Sequence, residues 1–189
     1  MKLVETKIYT QLIVISDYLL LGLLWVIVSL PIVTLVPASA AVLYVLRQWQ
    51  DGTTGSIFAH FFTGIRKHFF INLLASLLTV GIFAATNSLL QESSQVLIIS
   101  GYVVSIIYLM FLLSWIDNCS RDEKLSVFKL FEQSALDLMV FFVGNLGCTL
   151  LIIFFTLLIF VFPPFIFLFA GSVWKLLYLI LSRKRRVIE

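Results

Sequence analysis

Apolar residues run along this chain in long blocks, separated by short polar or proline-bearing breaks. The first block covers 8–30. Pro31 and Pro37 follow, and each removes a backbone donor and disfavours helix in the residue before it, so 31–37 reads as a break or turn. Further apolar blocks cover 37–50, 68–90, 96–117, 136–162 and 164–182. Between them lie the loop at 51–55, a polar turn at 91–95, a charged loop at 121–124 and the turn Pro163-Pro164. A membrane-crossing helix needs about 20 apolar residues. Five blocks approach or reach that length, and the short block 37–50 crosses fully only if 31–37 completes it. The pattern predicts an all-α fold, a polytopic transmembrane bundle of about six helices in one membrane domain over 1–189. Ala38-Ser39-Ala40 resembles a signal-peptidase site, but the apolar run before it is far longer than the 7–15 residues of a signal sequence, so it is read as mature protein.

The connectors at 51–67 and 118–135 carry a second pattern. Ser56-Ile57-Phe58-x-x-Phe61 recurs as Ser126-Val127-Phe128-x-x-Phe131, seventy residues later. Ile57, Phe58, Phe61, Phe62 and Ile65 share one helical face, and Val127, Phe128, Leu130, Phe131 and Ala135 mostly repeat it. This spacing predicts two amphipathic helices, with Ser56 and Ser126 as N-caps. An amphipathic helix beside a span lies along the membrane surface. Each unit is then a helix running in, a surface helix and a helix running out. Two units in one orientation suggest a parallel pseudo-repeat, although short amphipathic connectors also arise by chance. Ile57, Phe58, Phe61, Phe62, Val127, Phe128 and Phe131 are the candidate partner-docking residues.

Composition strengthens the membrane reading. Of 189 residues, 61% are hydrophobic and 12% charged, with mean hydropathy +1.08, whereas a soluble domain is about half apolar and a quarter charged. The net charge of +3 is small, and no stretch reads as a nucleic-acid surface. Lysine and arginine favour cytoplasmic loops. With six helices and both termini inside, all 13 basic residues lie on or can reach that side. Fusing the first two blocks would leave Lys2 and Lys7 outside. The tail Arg183-Lys184-Arg185-Arg186 reads as a topology anchor on anionic lipid, and Tyr44, Trp49 and Trp115 fit an aromatic belt at the inner ends of their helices.

Candidate chemistry is sparse. The sequence has no nucleophile elbow, P-loop or zinc signature, so no catalytic residue, cofactor or metal is expected. Cys119 and Cys148 read as reduced thiols, one in a loop and one in helix packing. His60 and His68 lack a third ligand and read as interface residues. Ionisable groups at membrane depth are costly and often functional. Asp17 and Lys175 are placed about 12–14 Å from the inner surface by helical rise. They would either pair between the first and last helices, or leave Lys175 snorkelling and Asp17 lining a wet crevice. Arg47 and Asp117 close the two inward-running helices at matching repeat positions, where they could meet. Asn72, Asn87, Asn118 and Asn145 are expected to bond between helices. Gly144 with Gly147, and Gly101 with Ser105, would permit close helix approach.

Ser29-Leu-Pro-Ile-Val-Thr-Leu-Val-Pro-Ala-Ser-Ala-Ala-Val-Leu-Tyr44, then Arg47-Gln-Trp49 and Gly55-Ser-Ile-Phe58-x-x-Phe-Phe62-x-Gly64, resemble the YesL-like family of bacterial membrane proteins, a domain of unknown function. The resemblance covers most of the chain, including Pro163-Pro164 and the basic tail. Leu35-Val36-Pro37 stands where the family usually has Ile-Gly-Pro, which implies a slightly different turn. The resemblance implies a Gram-positive origin, the bacterial cytoplasmic membrane, and genes beside carbohydrate ABC importers, glycosidases and two-component regulators. It brings no catalytic residue. The leading expectation is a non-enzymatic accessory of a carbohydrate ABC importer, docking its permease subunits through 56–67 and 126–132. The alternative is an autonomous small-solute transporter or channel, with 31–37 lining the pathway. A third is a membrane partner of a sensor kinase. Besides such a partner, the lipid bilayer is expected to surround the chain.

Overall fold

A computed structural model describes residues 7–52, 55–91, 94–121 and 126–183, and their regular structure is helical throughout. Lys2, Lys124 and the basic residues after Arg183 lie outside the described residues. The first helix, α1, is Lys7–Ser29, followed by a 3-10 turn at Ile32–Thr34 and α2 at Leu35–Gln50. Then come α3 (Ile57–Arg66), α4 (Phe69–Leu90), α5 (Gln95–Cys119), α6 (Val127–Val140), α7 (Phe142–Val161) and α8 (Phe165–Arg183). Five stretches are long and apolar enough to cross a membrane: Leu12–Ser29, Ile32–Gln50, Phe69–Leu89, Gln95–Cys119 and Phe142–Val161. The sixth expected span is α8, whose apolar section Phe169–Ser182 is shorter. Its 19 residues nevertheless rise about 28 Å at 1.5 Å each, close to the ~30 Å hydrocarbon thickness of a bilayer.

Large apolar side chains cover the outside of these helices: Phe160 is 88% exposed, and Phe70, Phe83 and Val143 are nearly as open. Only an apolar solvent tolerates such a surface, since soluble proteins rarely expose contiguous apolar patches beyond a few hundred Å2.

The proline segment differs from expectation. Pro31 does break the chain: it sits before the 3-10 turn in extended conformation. Pro37 does not. It is the third residue of α2, within the first turn, where backbone N–H groups have no intrahelical partner and a proline costs nothing there. The Thr34 hydroxyl reaches the Val28 and Pro31 carbonyls and donates its one proton there, while Thr34 N donates to the Pro31 carbonyl (2.8 Å). The turn therefore adds to α2, and Ile32–Gln50 reaches 19 residues instead of stopping short. Pro163 and Pro164 separate α7 from α8 as expected, with turn bonds from Phe165 N to the Phe162 carbonyl (3.1 Å) and from Ile166 N to the Pro163 carbonyl (3.2 Å).

The centre of the bundle is α2. Every residue from Val36 to Leu46 is buried, and the helix touches α1, α3, α4, α5 and α8. Its run Ala38-Ser39-Ala40-Ala41 is thin enough for neighbours on all sides, and a helix apolar all round belongs inside. The closest approach elsewhere joins α1 to α8. A Cβ on Gly171 would overlap the Tyr18 carbonyl, and one on Gly22 would meet the Gly171 backbone. Gly147, by contrast, has nothing nearby, so it carries no close contact.

The expected succession of a long helix, a short amphipathic helix and a long helix is present twice, as α2–α3–α4 and α5–α6–α7. In each unit the surface helix packs on the helix before it, and the outer two helices pack together. One boundary shifts. Residues 136–140 belong to the surface helix α6 and not to the following span. The chain bends at Phe141, outside the helical region. There the Asp137 carbonyl accepts from Phe141 N (3.0 Å) and from the Asn145 side chain (3.3 Å), which ends α6 and starts α7. The matching bend in the first unit is at His68, with φ 52°.

A candidate functional site beneath the surface helices

The helix ends beside α3 and α6 carry a buried polar layer. Arg47, in the last turn of α2, and Asp117, near the end of α5, form an ion pair, so the two residues expected to close matching helices do meet. The Arg47 guanidinium also donates to the Asp117 backbone carbonyl (3.3 Å). Arg121 donates to the other Asp117 carboxylate oxygen (2.9 Å). Asp117 is 5% exposed, so the two guanidiniums compensate a charge that burial alone would penalise heavily. With both oxygens engaged, this carboxylate ties α2, α5 and the start of the following loop together.

Three asparagines extend the layer. The Asn118 amide donates to the Ser134 hydroxyl (3.2 Å) and to the Asp137 carboxylate (3.1 Å), fixing α6 to α5. On α7, Asn145 donates to the Ser114 hydroxyl (2.9 Å). On α4, Asn72 accepts from the Trp115 indole (3.1 Å). Asn72 and Asn145 hold corresponding helices of the two units against neighbouring residues of α5. Asn87 instead lines a crevice of about 450 Å3 between α4, α5 and α7, where hydroxyls pair as Thr79 with Tyr108 (2.8 Å) and Ser105 with Thr86 (3.0 Å). Gly101 lies within ordinary contact of α4 there.

The candidate docking residues divide. Phe61 is 0% exposed, and Ile57 packs against the core, so neither is free to meet a partner. Phe58, Phe62, Val127, Phe128 and Phe131 remain exposed, Phe128 at 78%. Phe131 still touches the bundle through Phe111, with ring centroids 5.4 Å apart. The cap expectations divide too: Ser126 accepts from Lys129 N, whereas Ser56 makes no side-chain cap bond.

Asp17 and Lys175 lie level with the end of α2. Tyr18 packs on Trp49, two residues from the end of α2, at 5.3 Å between centroids, and Tyr178 bonds Gln50. This registers residues 17 and 175 with the last turn of α2. No ion pair joins them among the described residues. The Lys175 ammonium lies over the Tyr18 ring, 4.3 Å from its centroid, and Asp17 lines a crevice. Two of the three residues expected in an aromatic belt are inside the bundle: Tyr44 and Trp115 are buried, whereas Trp49 is half-buried, and the Lys67 ammonium covers Tyr44 at 4.1 Å. Both cysteines are buried and neither forms a disulfide, with Cys119 at the end of α5 and not in a loop.

His68 turns the chain into α4, and burial first, then the charge of Lys67, hold its imidazole pKa below the ordinary value. Among the described residues no three metal-binding side chains converge. An apolar cavity of about 260 Å3 is bordered by Trp25, Leu113, Ile152, Trp174 and Leu177. Its walls meet through Trp25, which donates to Ser39 (3.1 Å) and stacks edge-on to Trp174 at 5.6 Å. This tryptophan pair and the Gly22–Gly171 contact are not legible in the sequence, because nothing local marks which of many apolar residues face each other. Arg121 is not among the expected partners of Asp117 either, although the i, i+4 spacing carried that signal.

A family described as a protein of unknown function, DUF624, matches residues 18–88. That match covers α1 from its middle, α2, α3 and nearly all of α4, the first in–surface–out unit with its preceding helix. No curated protein and no solved structure matches the chain.

Proposed function

We propose that this chain is a non-enzymatic membrane protein that docks the permease subunits of a carbohydrate ABC importer through the outer faces of α3 and α6. The observation that carries the reading is the contrast between the two faces of these helices. Their inner faces are pinned by Phe61, Leu130 and the Asn118–Ser134 bond, while Phe58, Phe62, Val127, Phe128 and Phe131 stay exposed on a fixed frame. Large apolar side chains exposed on a fixed frame fit an interface hot spot. In this reading the chain is YesL-like, comes from a Gram-positive bacterium and sits in its cytoplasmic membrane, with both termini and the two surface helices on the cytoplasmic side, where basic residues accumulate. The importer as partner comes from the resemblance alone.

The test is photo-crosslinking in native membranes from probes at Phe58 and Phe128. Permease subunits should be captured from both positions, and solute uptake should fall when the gene is deleted. Capture of a sensor kinase instead would move the reading to a signalling partner. Absence of any permease, with uptake unchanged, would overturn it. A reporter at residue 2 that faces outside would overturn the orientation. Autonomous transport finds less support, since the cavity bordered by Trp25 and Trp174 is apolar.

A further inference from the structure

The crevice between α4, α5 and α7 is independent of the docking surface, since among the described residues none from α3 or α6 lines it. It encloses about 450 Å3. Within the described chain, α4 and α7 both pack on α5 and not closely on each other. Phe83 and Leu157 stand on its two lips and are 77% and 61% exposed, so the space opens sideways, towards lipid. From Asn87 to Thr79 it follows α4 for about 12 Å, by helical rise. Most of its hydroxyls are already engaged: Thr79 pairs with Tyr108, and Ser105 with Thr86.

Two polar groups on its wall are left over. The Asn87 amide and the Tyr102 hydroxyl make no hydrogen bond among the described residues. Asn87 is in the last turn of α4 and Tyr102 in the second turn of α5, so both belong to the end of the crevice nearest the 91–94 connection. An amide and a phenol can each donate and accept, which matches a hydroxyl group. No charged side chain lines the crevice among the described residues, so a phosphate or an ammonium would lose its hydration there without a counter-charge. At its deeper end the crevice shares Leu109, Ile152 and Thr156 with the apolar cavity bordered by Trp25 and Trp174. The two spaces therefore adjoin, level with the middle of α7. An apolar cavity stays dry and accepts an apolar guest. Uncharged hydrogen-bonding groups near the helix ends, with an apolar space running towards the middle of the bundle, match a neutral lipid lying along the helices.

We propose that these two spaces hold a diacylglycerol, with its hydroxyl at Asn87 and Tyr102 and one acyl chain passing Leu109 and Thr156 towards Trp25 and Trp174. Triacylglycerol lacks that hydroxyl, and phosphatidic acid carries a charged phosphate in its place. Both share the glycerol backbone and the chains, so they isolate the head group.

Delipidated full-length protein in detergent is incubated with radiolabelled dioleoylglycerol, trioleoylglycerol or dioleoyl phosphatidic acid, and the lipid retained after affinity capture is counted. The wild type should retain dioleoylglycerol about fivefold over trioleoylglycerol, as one net hydrogen bond is worth, and at least as strongly over phosphatidic acid. Asn87→Leu combined with Tyr102→Phe should erase both preferences, while Asn87→Gln, which keeps the amide, should keep most of each. Asn87 and Tyr102 are exposed, so these variants should unfold at the wild-type temperature. Equal retention of the three lipids by the wild type, or a preference that survives the double substitution, would overturn the head-group site. A brominated chain quenches an indole only on near contact. Brominated dioleoylglycerol should therefore quench wild-type tryptophan fluorescence, and Trp25→Phe with Trp174→Phe should remove most of that quenching, because Trp49 and Trp115 line neither space. Quenching that persists in that variant would overturn the path of the chain.

Discussion

In the first in–surface–out unit the surface helix sends Phe61 into the bundle. In the second, the residue seventy positions later, Phe131, stays outside, and Leu130 goes in. The two helices are also seated differently. In α3, Gly64 lies so close to α2 that a Cβ there would stand 2.9 Å from the Ala41 Cα. In α6, Ser134 takes the corresponding place and is held by a hydrogen bond from Asn118. One helix is fixed by close packing of small residues, the other by a polar network. The lesson is that a repeated apolar stripe determines that a surface helix forms, whereas the neighbouring helix determines which of its residues is swallowed.

The strongest test removes the group that joins the units. Asp117→Ala leaves Arg47 and Arg121 facing each other without a counter-charge, and breaking a buried pair from one side costs about 3–5 kcal/mol. Thermal unfolding in detergent should show a larger loss than any single change within α3 or α6 produces. Next, Phe61→Ala should destabilise by about 3 kcal/mol through the cavity it opens, while Phe131→Ala should cost under ~1 kcal/mol as an exposed change. Equal losses would erase the difference in register.

The seating of the two helices is separable as well. Gly64→Ala should cost roughly 1–3 kcal/mol by overpacking against α2. Ser134→Ala, which removes only one partner of Asn118, should cost about 1 kcal/mol. A smaller contrast lies at the caps, where Ser126→Ala should lower stability by about 0.5–1 kcal/mol and Ser56→Ala by almost nothing. The least effect is one of pH. Because the folded state lowers the His68 pKa below 6.5, the unfolded chain binds the proton more readily. Stability should be complete above pH 6.5 and decline slightly as pH falls through the folded pKa. A titration of unfolding temperature should show this decline in the wild type and lose it in His68→Asn, which also tolerates the left-handed backbone.

Much of the site is legible in the sequence. Arg47 and Asp117 stand out because charges are rare in such a chain, and their matched positions in the repeat already suggest that they meet. Asn72, Asn118 and Asn145 are legible for the same reason: a polar group among apolar neighbours needs a partner. The boundary at Phe141 is not legible. The stretch from Leu138 to Val143 is apolar throughout, and the bend depends on the Asp137 carbonyl serving Asn145 as well as the backbone. The register of Asp17 is likewise not legible, because counting residues from the start of an apolar run assumes that neighbouring helices end together. Here α1 continues past the end of α2.

The sequence by itself determined that this is a chain of apolar helices with two amphipathic connectors, and that Arg47, Arg66, Lys67, Arg121, Lys124 and Lys129 stand in or beside those connectors. Those properties follow from composition and period alone, because a lipid-facing helix and an amphipathic one need only the right residues at the right spacing. Only the tertiary structure decided that α2 lies at the centre, that Phe61 and Leu130 point in while Phe58 and Phe128 point out, and that Lys175 stands over Tyr18 instead of pairing with Asp17. In a chain that is 61% hydrophobic, apolar character cannot distinguish the lipid side of a helix from its protein side. Shape and a few hydrogen bonds make that choice, and both depend on residues far apart along the chain.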